Sequence, residues 1–186
     1  MNWKIYLIIL MPLKVFRSNN IYIRKMIHAD APVVLTWENE PENWLVSEGE
    51  GPYVLDDIID LVNNIEDIHS SCQVRYIIFE NDTERPLGTV DLFNMDFNSG
   101  SAGIGILIAD RQDRRKGFGK ESVLLVEDVA NHLGIKRIIA VVHKSNEASL
   151  ALFRSCDYEF LREEVEENPK HPDYLHKIVL EKCIRN

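Results

Sequence analysis

Residues 111–120 read Arg111-Gln112-Asp113-Arg114-Arg115-Lys116-Gly117-Phe118-Gly119-Lys120. An apolar run, 103–109, leads into this decapeptide, and a second apolar run with helical spacing, 123–133, follows it. A strand, a basic glycine loop and a helix in that order make an anion cradle. Glycine lets a backbone turn tightly and lets a ligand approach it closely. The first N–H groups of the helix have no carbonyl behind them and point at whatever sits in front. Five of the ten residues are basic and one is acidic, a local excess of positive charge within a chain of net charge -9. Phosphates are the natural guest. The glycine spacing excludes a Walker loop, which needs G-x-x-x-x-G-K-[ST], and the absence of a third glycine excludes a dinucleotide fingerprint.

Outward from this stretch the chain reads as an α/β protein. Towards the amino terminus, residues 21–26 alternate as a strand. Asp30 reads as an N-cap ahead of Pro32 in a helix reaching about Glu40. Residues 41–52 form an acidic loop rich in Gly and Pro. A second amphipathic helix covers 54–65. Three strands, 74–79, 87–93 and 103–109, are joined by short turns and predict an antiparallel meander; the third is apolar on both faces and belongs near the sheet centre. Towards the carboxyl terminus the loop's helix runs from 118 to 133, where Gly134 and Ile135 supply a left-handed cap. A strand at 138–142, a short helix opened by Asn146, and strands at 158–165 and 174–180 complete the order β-α-α-β-β-β-α-β-α-β-β. The sheet is mixed and mostly antiparallel, flanked by helices. Residues 1–19 read as an extension ahead of a single domain, 20–186.

Composition narrows the function. A chain of 186 residues with 45% hydrophobic residues can bury a full core. The net charge of -9 repels nucleic-acid backbones, and the basic patch is small, so nucleic acid is excluded as a partner. Three cysteines, Cys72, Cys156 and Cys183, contain no C-x-x-C pair, so neither a metal site nor a disulfide framework is indicated and a reducing cytoplasm is expected. The apolar run 5–11 is too short to span a bilayer, so no membrane partner is expected.

Two motifs carry a family resemblance. Arg114-Arg115-Lys116-Gly117-Phe118-Gly119 resembles the R/Q-x-x-G-x-G/A pyrophosphate motif of the GCN5-related N-acetyltransferases, the GNAT superfamily. Asn146-Glu147-Ala148-Ser149-Leu150-Ala151-Leu152-Phe153 is similar to that family's N-x-x-S/A-x-x-L-Y/F segment. Residues 88–94 and 102–106, with Ile23-Arg24 and Trp37-Glu38-Asn39, resemble the branch of spermidine and diamine N-acetyltransferases and ribosomal-protein N-acetyltransferases. The resemblance implies a GNAT fold over about 20–182. It also implies acetyl-CoA as cofactor and acetyl transfer to a primary amine by direct attack on the thioester. The acceptor it suggests is a polyamine or diamine such as spermidine. A protein amino-terminal amine or another small amine is the alternative, as is an acyl-CoA binder without catalysis. Family members are often dimers or larger, which implies a homodimer or larger assembly.

Residue roles follow from the matched positions. Ile106, Leu107 and Ile108 would offer a strand edge to the pantetheine arm. Arg111, Arg114, Arg115, Lys116, Gly117, Phe118, Gly119 and Lys120 would hold the phosphates, and Asn146 and Phe153 would border the arm. Asn146 reads equally as a helix N-cap. A primary alkyl amine has a pKa near ~10.4 and arrives protonated, so the reaction needs a base. Asp91, within an apolar strand, and Glu48 are the candidates, with His143 behind them. Glu38, Trp44, Glu48 and Asp91 are expected around the acceptor. Phe153 stands where the family commonly has a tyrosine and cannot donate a proton; Ser149, one turn earlier, is the replacement acid, with Tyr158 as a further candidate. Asp157 stands where the family usually has a glycine, which predicts an altered turn.

Overall fold

The computed structural model describes residues 14–44, 51–166 and 175–184, and the side chain of Trp44 lies outside what it describes. Among the described residues eight strands form one sheet in the order β1-β2-β3-β4-β5-β6-β8-β7. The strands are β1 (Val15–Arg17), β2 (Ile21–Lys25), β3 (Val74–Glu80), β4 (Pro86–Asp96), β5 (Ser101–Ile108), β6 (Arg137–His143), β7 (Glu159–Val165) and β8 (His176–Cys183). The helices are α1 (Ala31–Glu38), α2 (Pro41–Trp44), α3 (Leu55–Asn64), α4 (Ile68–Ser71), α5 (Phe118–His132) and α6 (Glu147–Ser155).

Strand periodicity divides the core into two. Tyr76 and Ile78 of β3 point into a cluster under α5 and α6, and Ile77 and Phe79 point into a second cluster under α1 and α3. A strand covered on both faces must be mostly apolar, and β3 is so from Tyr76 to Phe79, with Arg75 the charged exception near its start. β5 takes the central place expected of it, between antiparallel β4 and parallel β6.

β5 and β6 pair only at Ser101–Arg137, Ala102–Ile138 and Gly103–Ile139, while β6 stays paired with β8 through His143. Beyond Gly103 the two strands diverge and open a wedge in the middle of the sheet. A register shift in β4 between Phe93 and Asp96, with Asn94 at φ 49°, bends the strand beside this wedge. Opposite it, a Cβ on Gly103 would stand 2.5 Å from the Phe93 ring, so the bare glycine is what admits that ring.

Four expectations change. The segment 41–52, read as a loop, begins with the short helix α2 at Pro41–Trp44. The stretch read as an extension contributes β1, which pairs with β2 through Phe16 and Ile23; a three-residue edge strand is too short to show a period. Asp30 precedes α1 without capping it. Its carboxylate instead accepts two bonds from Arg24, both 2.7 Å, and one from the Ile27 N–H at 2.9 Å. The turn at Asp157 is preserved: Asp157 adopts φ 63° and the Tyr158 N–H reaches the Phe153 carbonyl at 3.1 Å, as a glycine cap would allow. The cap at Gly134 forms as expected, with φ 80° and the Ile135 N–H on the Ala130 carbonyl at 2.9 Å.

Candidate active site

The basic loop turns off the end of β5 into α5. Gly117 sits at φ 91°, a conformation that strains any side chain, and a Cβ there would meet nothing within 4 Å. Arg115 also lies in the left-handed region, at φ 63°. The first helical bond joins the Glu121 N–H to the Gly117 carbonyl at 3.1 Å, so the N–H groups of Phe118, Gly119 and Lys120 remain without helical partners. Glu121 would repel an anion here, but its carboxylate is turned to Ser18 Oγ and Asn20 Nδ2, both at 2.5 Å. A Cβ on Gly119 would press on Leu152 of α6 at 3.3 Å. Phe118 is buried in the core beneath α5.

The five cations of the loop divide into two groups. Arg111 pairs with Glu42 at 2.5 Å. Arg114 donates to the carbonyls of Ile108 (3.1 Å) and Ala109 (3.3 Å) and to Asn43 Oδ1 (3.3 Å). Lys116 donates to Asp113 at 3.0 Å. Arg115 and Lys120 are exposed and form no ion pair among the described residues. Three cations therefore shape the loop and two remain open to an anion. Glu42, from the acidic segment 41–52, belongs to the loop's own structure.

The wedge opens into a cavity of about 800 Å³. The Ala109 N–H bonds to Leu87 of β4, so strand alternation turns the peptide groups of Ile106 and Ile108 to the open edge of β5 and those of Leu107 towards β4. Ile108 already gives its carbonyl to Arg114, which leaves Ile106 as the exposed backbone rung.

The cavity floor is a three-residue ion pair. Arg75 of β3 donates from Nε and Nη2 to both oxygens of Asp91 on β4, each at 2.9 Å, and from Nη1 to Glu38 of α1 at 2.8 Å. All three side chains are about one-fifth exposed. Burial raises the pKa of Asp91, and the Arg75 guanidinium opposes that rise without cancelling it. Gly105 lies opposite Asp91 in the β4–β5 register, so no side chain of β5 screens the carboxylate. The expected Glu38 and Asp91 thus meet in one site, through an arginine that was not anticipated. A lone Arg inside the apolar run 74–79 was the available signal. Glu48 and the Trp44 side chain lie outside the described residues.

On the far side of the wedge, β6 and α6 present His143, Asn146, Ser149 and Phe153 to the same cavity. Asn146 caps α6, its Oδ1 accepting the Ser149 N–H at 3.1 Å. Ser149 is half-buried. Phe153 is buried and meets Tyr158 edge-on with ring centres 5.1 Å apart. Tyr158 does not line the cavity and its hydroxyl is buried, which removes it as a proton donor. Among the described residues no cluster of three metal-ligating side chains occurs, and no helix is long and apolar enough to cross a membrane.

An open anion cradle at one end of a wedge and an acidic floor at the other suit a long ligand with phosphates at one terminus. Coenzyme A fits on three counts: the unfilled space at Gly117, the helical N–H groups without partners, and the two free cations.

Comparison with known proteins supplies the family. The sequence profile of the acetyltransferase (GNAT) domain matches residues 20–159. A curated relative from Dictyostelium discoideum, the N-acetyltransferase 9-like protein, is 28% identical over 131 residues, covering 67% of this chain; the chain spans 59% of that relative's length. In fold, the chain is similar to a spermidine N-acetyltransferase from Vibrio cholerae solved with CoA and spermine. Its TM-score is 0.79 at 19% identity, covering 88% of this chain and 95% of the other. It is equally similar to a ribosomal-protein-S5-alanine acetyltransferase from Vibrio fischeri, with TM-score 0.79 at 14% identity, covering 91% and 96%. With three-quarters of its length inside the domain profile and the cradle and wedge in place, the chain belongs to the GNAT acetyltransferase family, whose cofactor is acetyl-CoA.

Proposed function

We propose that the protein transfers the acetyl group of acetyl-CoA to a primary amine held in the wedge cavity. The observation that carries this reading is the divergence of β5 from β6, which opens a cavity above the acidic floor alongside the same strand that leads into the phosphate cradle. Arg115, Lys120 and the first-turn amides hold the phosphates, and Ile106 offers its backbone to the pantetheine arm. Bound acetyl-CoA supplies an activated thioester. Asp91, with its raised pKa and its open side towards Gly105, holds the acceptor ammonium and takes its proton. Ser149 is the donor for the departing thiolate. A thiol pKa near ~8.5 lets that group leave with weak assistance, so Phe153 slows the step without forbidding it.

The acceptor is read as a small polyamine or diamine. Five carboxylates line the cavity (Glu38, Asp57, Asp91, Glu164, Glu166) against two cations, Arg75 and Lys177. That surplus suits a multiply charged amine. Spermidine acetyltransferase among the similar folds supports the same choice. An amino-terminal peptide is the second reading, favoured by the apolar Ile58, Leu61 and Phe93 in the same wall. Release of free thiol from acetyl-CoA, measured over spermidine, spermine, putrescine and short peptides, tests both. Amine-dependent thiol release is expected. Coenzyme A binding without release from any amine would leave an acyl-CoA binder.

Asp113, Asp91, Glu38, Ser149 and the cradle residues sit in one domain, and the assembly it forms is expected to be a homodimer or larger. The cytoplasm is its expected compartment, consistent with three free cysteines among the described residues.

A further inference from the structure

Asp113 is the acidic residue of the basic loop, and only 3% of it is exposed. Its Oδ2 accepts from Arg85 Nη1 at 2.6 Å; its Oδ1 accepts from Arg85 Nη2 at 3.0 Å and from Lys116 Nζ at 3.0 Å. Arg85 stands in the turn between β3 and β4 and lies 3.5 Å from Glu80. With Arg114 folded back on the end of β5, the loop is fixed at Asp113, Arg114 and Lys116. Arg115, at φ 63°, is the residue left free between these anchors. The bidentate geometry is directional as well as strong. Donation from Arg85 holds the Asp113 carboxyl down to about 2, so it stays anionic at any working pH.

We infer that Asp113 is a positioning residue for the cofactor: it ties the loop to Arg85 and withdraws Lys116, so that the cradle's N–H groups and Arg115 converge on one anion. This rests on the reading of the loop as the coenzyme A site. Simple electrostatics predicts the opposite effect. Asp113→Asn deletes a negative charge and releases two cations beside the phosphates, which by Coulomb attraction alone tightens binding of a polyanion. Positioning predicts weaker binding, by about tenfold or more, from the loss of charge-assisted hydrogen bonds that set the loop's shape.

The test is calorimetric titration of coenzyme A into the native protein, Asp113→Asn and Arg85→Gln, at low and high salt, with steady-state kinetics on acetyl-CoA. Both variants are expected to bind about tenfold or more weakly, with KM for acetyl-CoA raised and kcat retained. The loss in Arg85→Gln should persist at high salt, where the pull of an exposed cation is screened. Unchanged or tighter binding by Asp113→Asn overturns the inference. Should that variant fail to fold, Arg85→Gln decides alone: a loss that disappears at high salt overturns the inference, and one that persists upholds it. No binding by the native protein overturns the coenzyme A reading and this inference together. Native binding with unaltered variants overturns this inference alone.

Discussion

The cradle and the acidic floor hold the same kinds of charge and are built in different ways. In the cradle every functional group comes from ten consecutive residues, and three of five cations are occupied in shaping the loop. In the floor, Arg75, Asp91 and Glu38 come from two strands and a helix; Arg75 is 16 residues from Asp91 and 37 from Glu38. A local motif shows which groups it brings together in its own spacing, although distant partners such as Arg85 and Glu42 complete the loop's shape. A site assembled across a sheet depends on register, and register is invisible until the strands pair. The cradle therefore specifies its guest closely, while the floor specifies only a charge.

Four substitutions press on this contrast. The largest effect is expected at Gly117→Glu, which places a carboxylate in the cradle at a left-handed position. Coenzyme A binding should fall by at least about a hundredfold while the fold survives at a cost of about 1–2 kcal/mol for the left-handed backbone, because a Cβ there meets no neighbour. Titration calorimetry with circular dichroism reads both. Unchanged affinity would break the cradle assignment.

Arg75→Met comes next, and it acts on the floor. Two part-buried carboxylates would lose their shared cation, at about 3 kcal/mol in unfolding free energy at neutral pH. The sign with pH is definite. Burial already holds the folded pKa of Asp91 above its unfolded value, and removing Arg75 raises it further. The anionic form is the strained one, so the variant's deficit should shrink as pH falls through that raised pKa. The acid limb of kcat/KM should move to higher pH by the same cause. A deficit independent of pH would show that Arg75 merely packs.

Phe153→Tyr tests the wall opposite the floor. If proton donation limits turnover, kcat rises by up to about tenfold with KM for acetyl-CoA unchanged. No rise in kcat would assign the limit to another step. The smallest effect is expected at Asp157→Gly, which relieves a left-handed Asp at the end of α6. Stability should increase by about 0.5–1 kcal/mol, read as a denaturation midpoint, with kinetics unaltered. A loss of stability would mean that the Asp157 side chain contributes a compensating contact.

What was readable from sequence follows the same division. The strand–loop–helix unit, the Gly134 cap, α3 and the central place of β5 all rest on periodicity or on residues with special backbone behaviour, and they match the structure. The division of loop cations into structural and open groups was not readable, because it depends on Asp113 meeting Arg85 and on Arg111 meeting Glu42 across distant segments. Asp30 shows the same limit: its sequence position suits a cap, but Arg24 stands across from it and offers a bidentate partner. Tyr158 looked like a proton donor by proximity in sequence, and the turn at Asp157 directs it into the core. β1 was missed because three residues show no pattern and only pairing with β2 defines them.

The most direct test of the acetyltransferase reading is the initial rate of thiol release from acetyl-CoA with spermidine and with a neutral amino-terminal peptide, each at low and high salt. The acidic floor predicts turnover of both, preference for spermidine, and a preference that narrows as salt screens the floor. Thiol release that does not depend on any amine, despite bound coenzyme A, would contradict it.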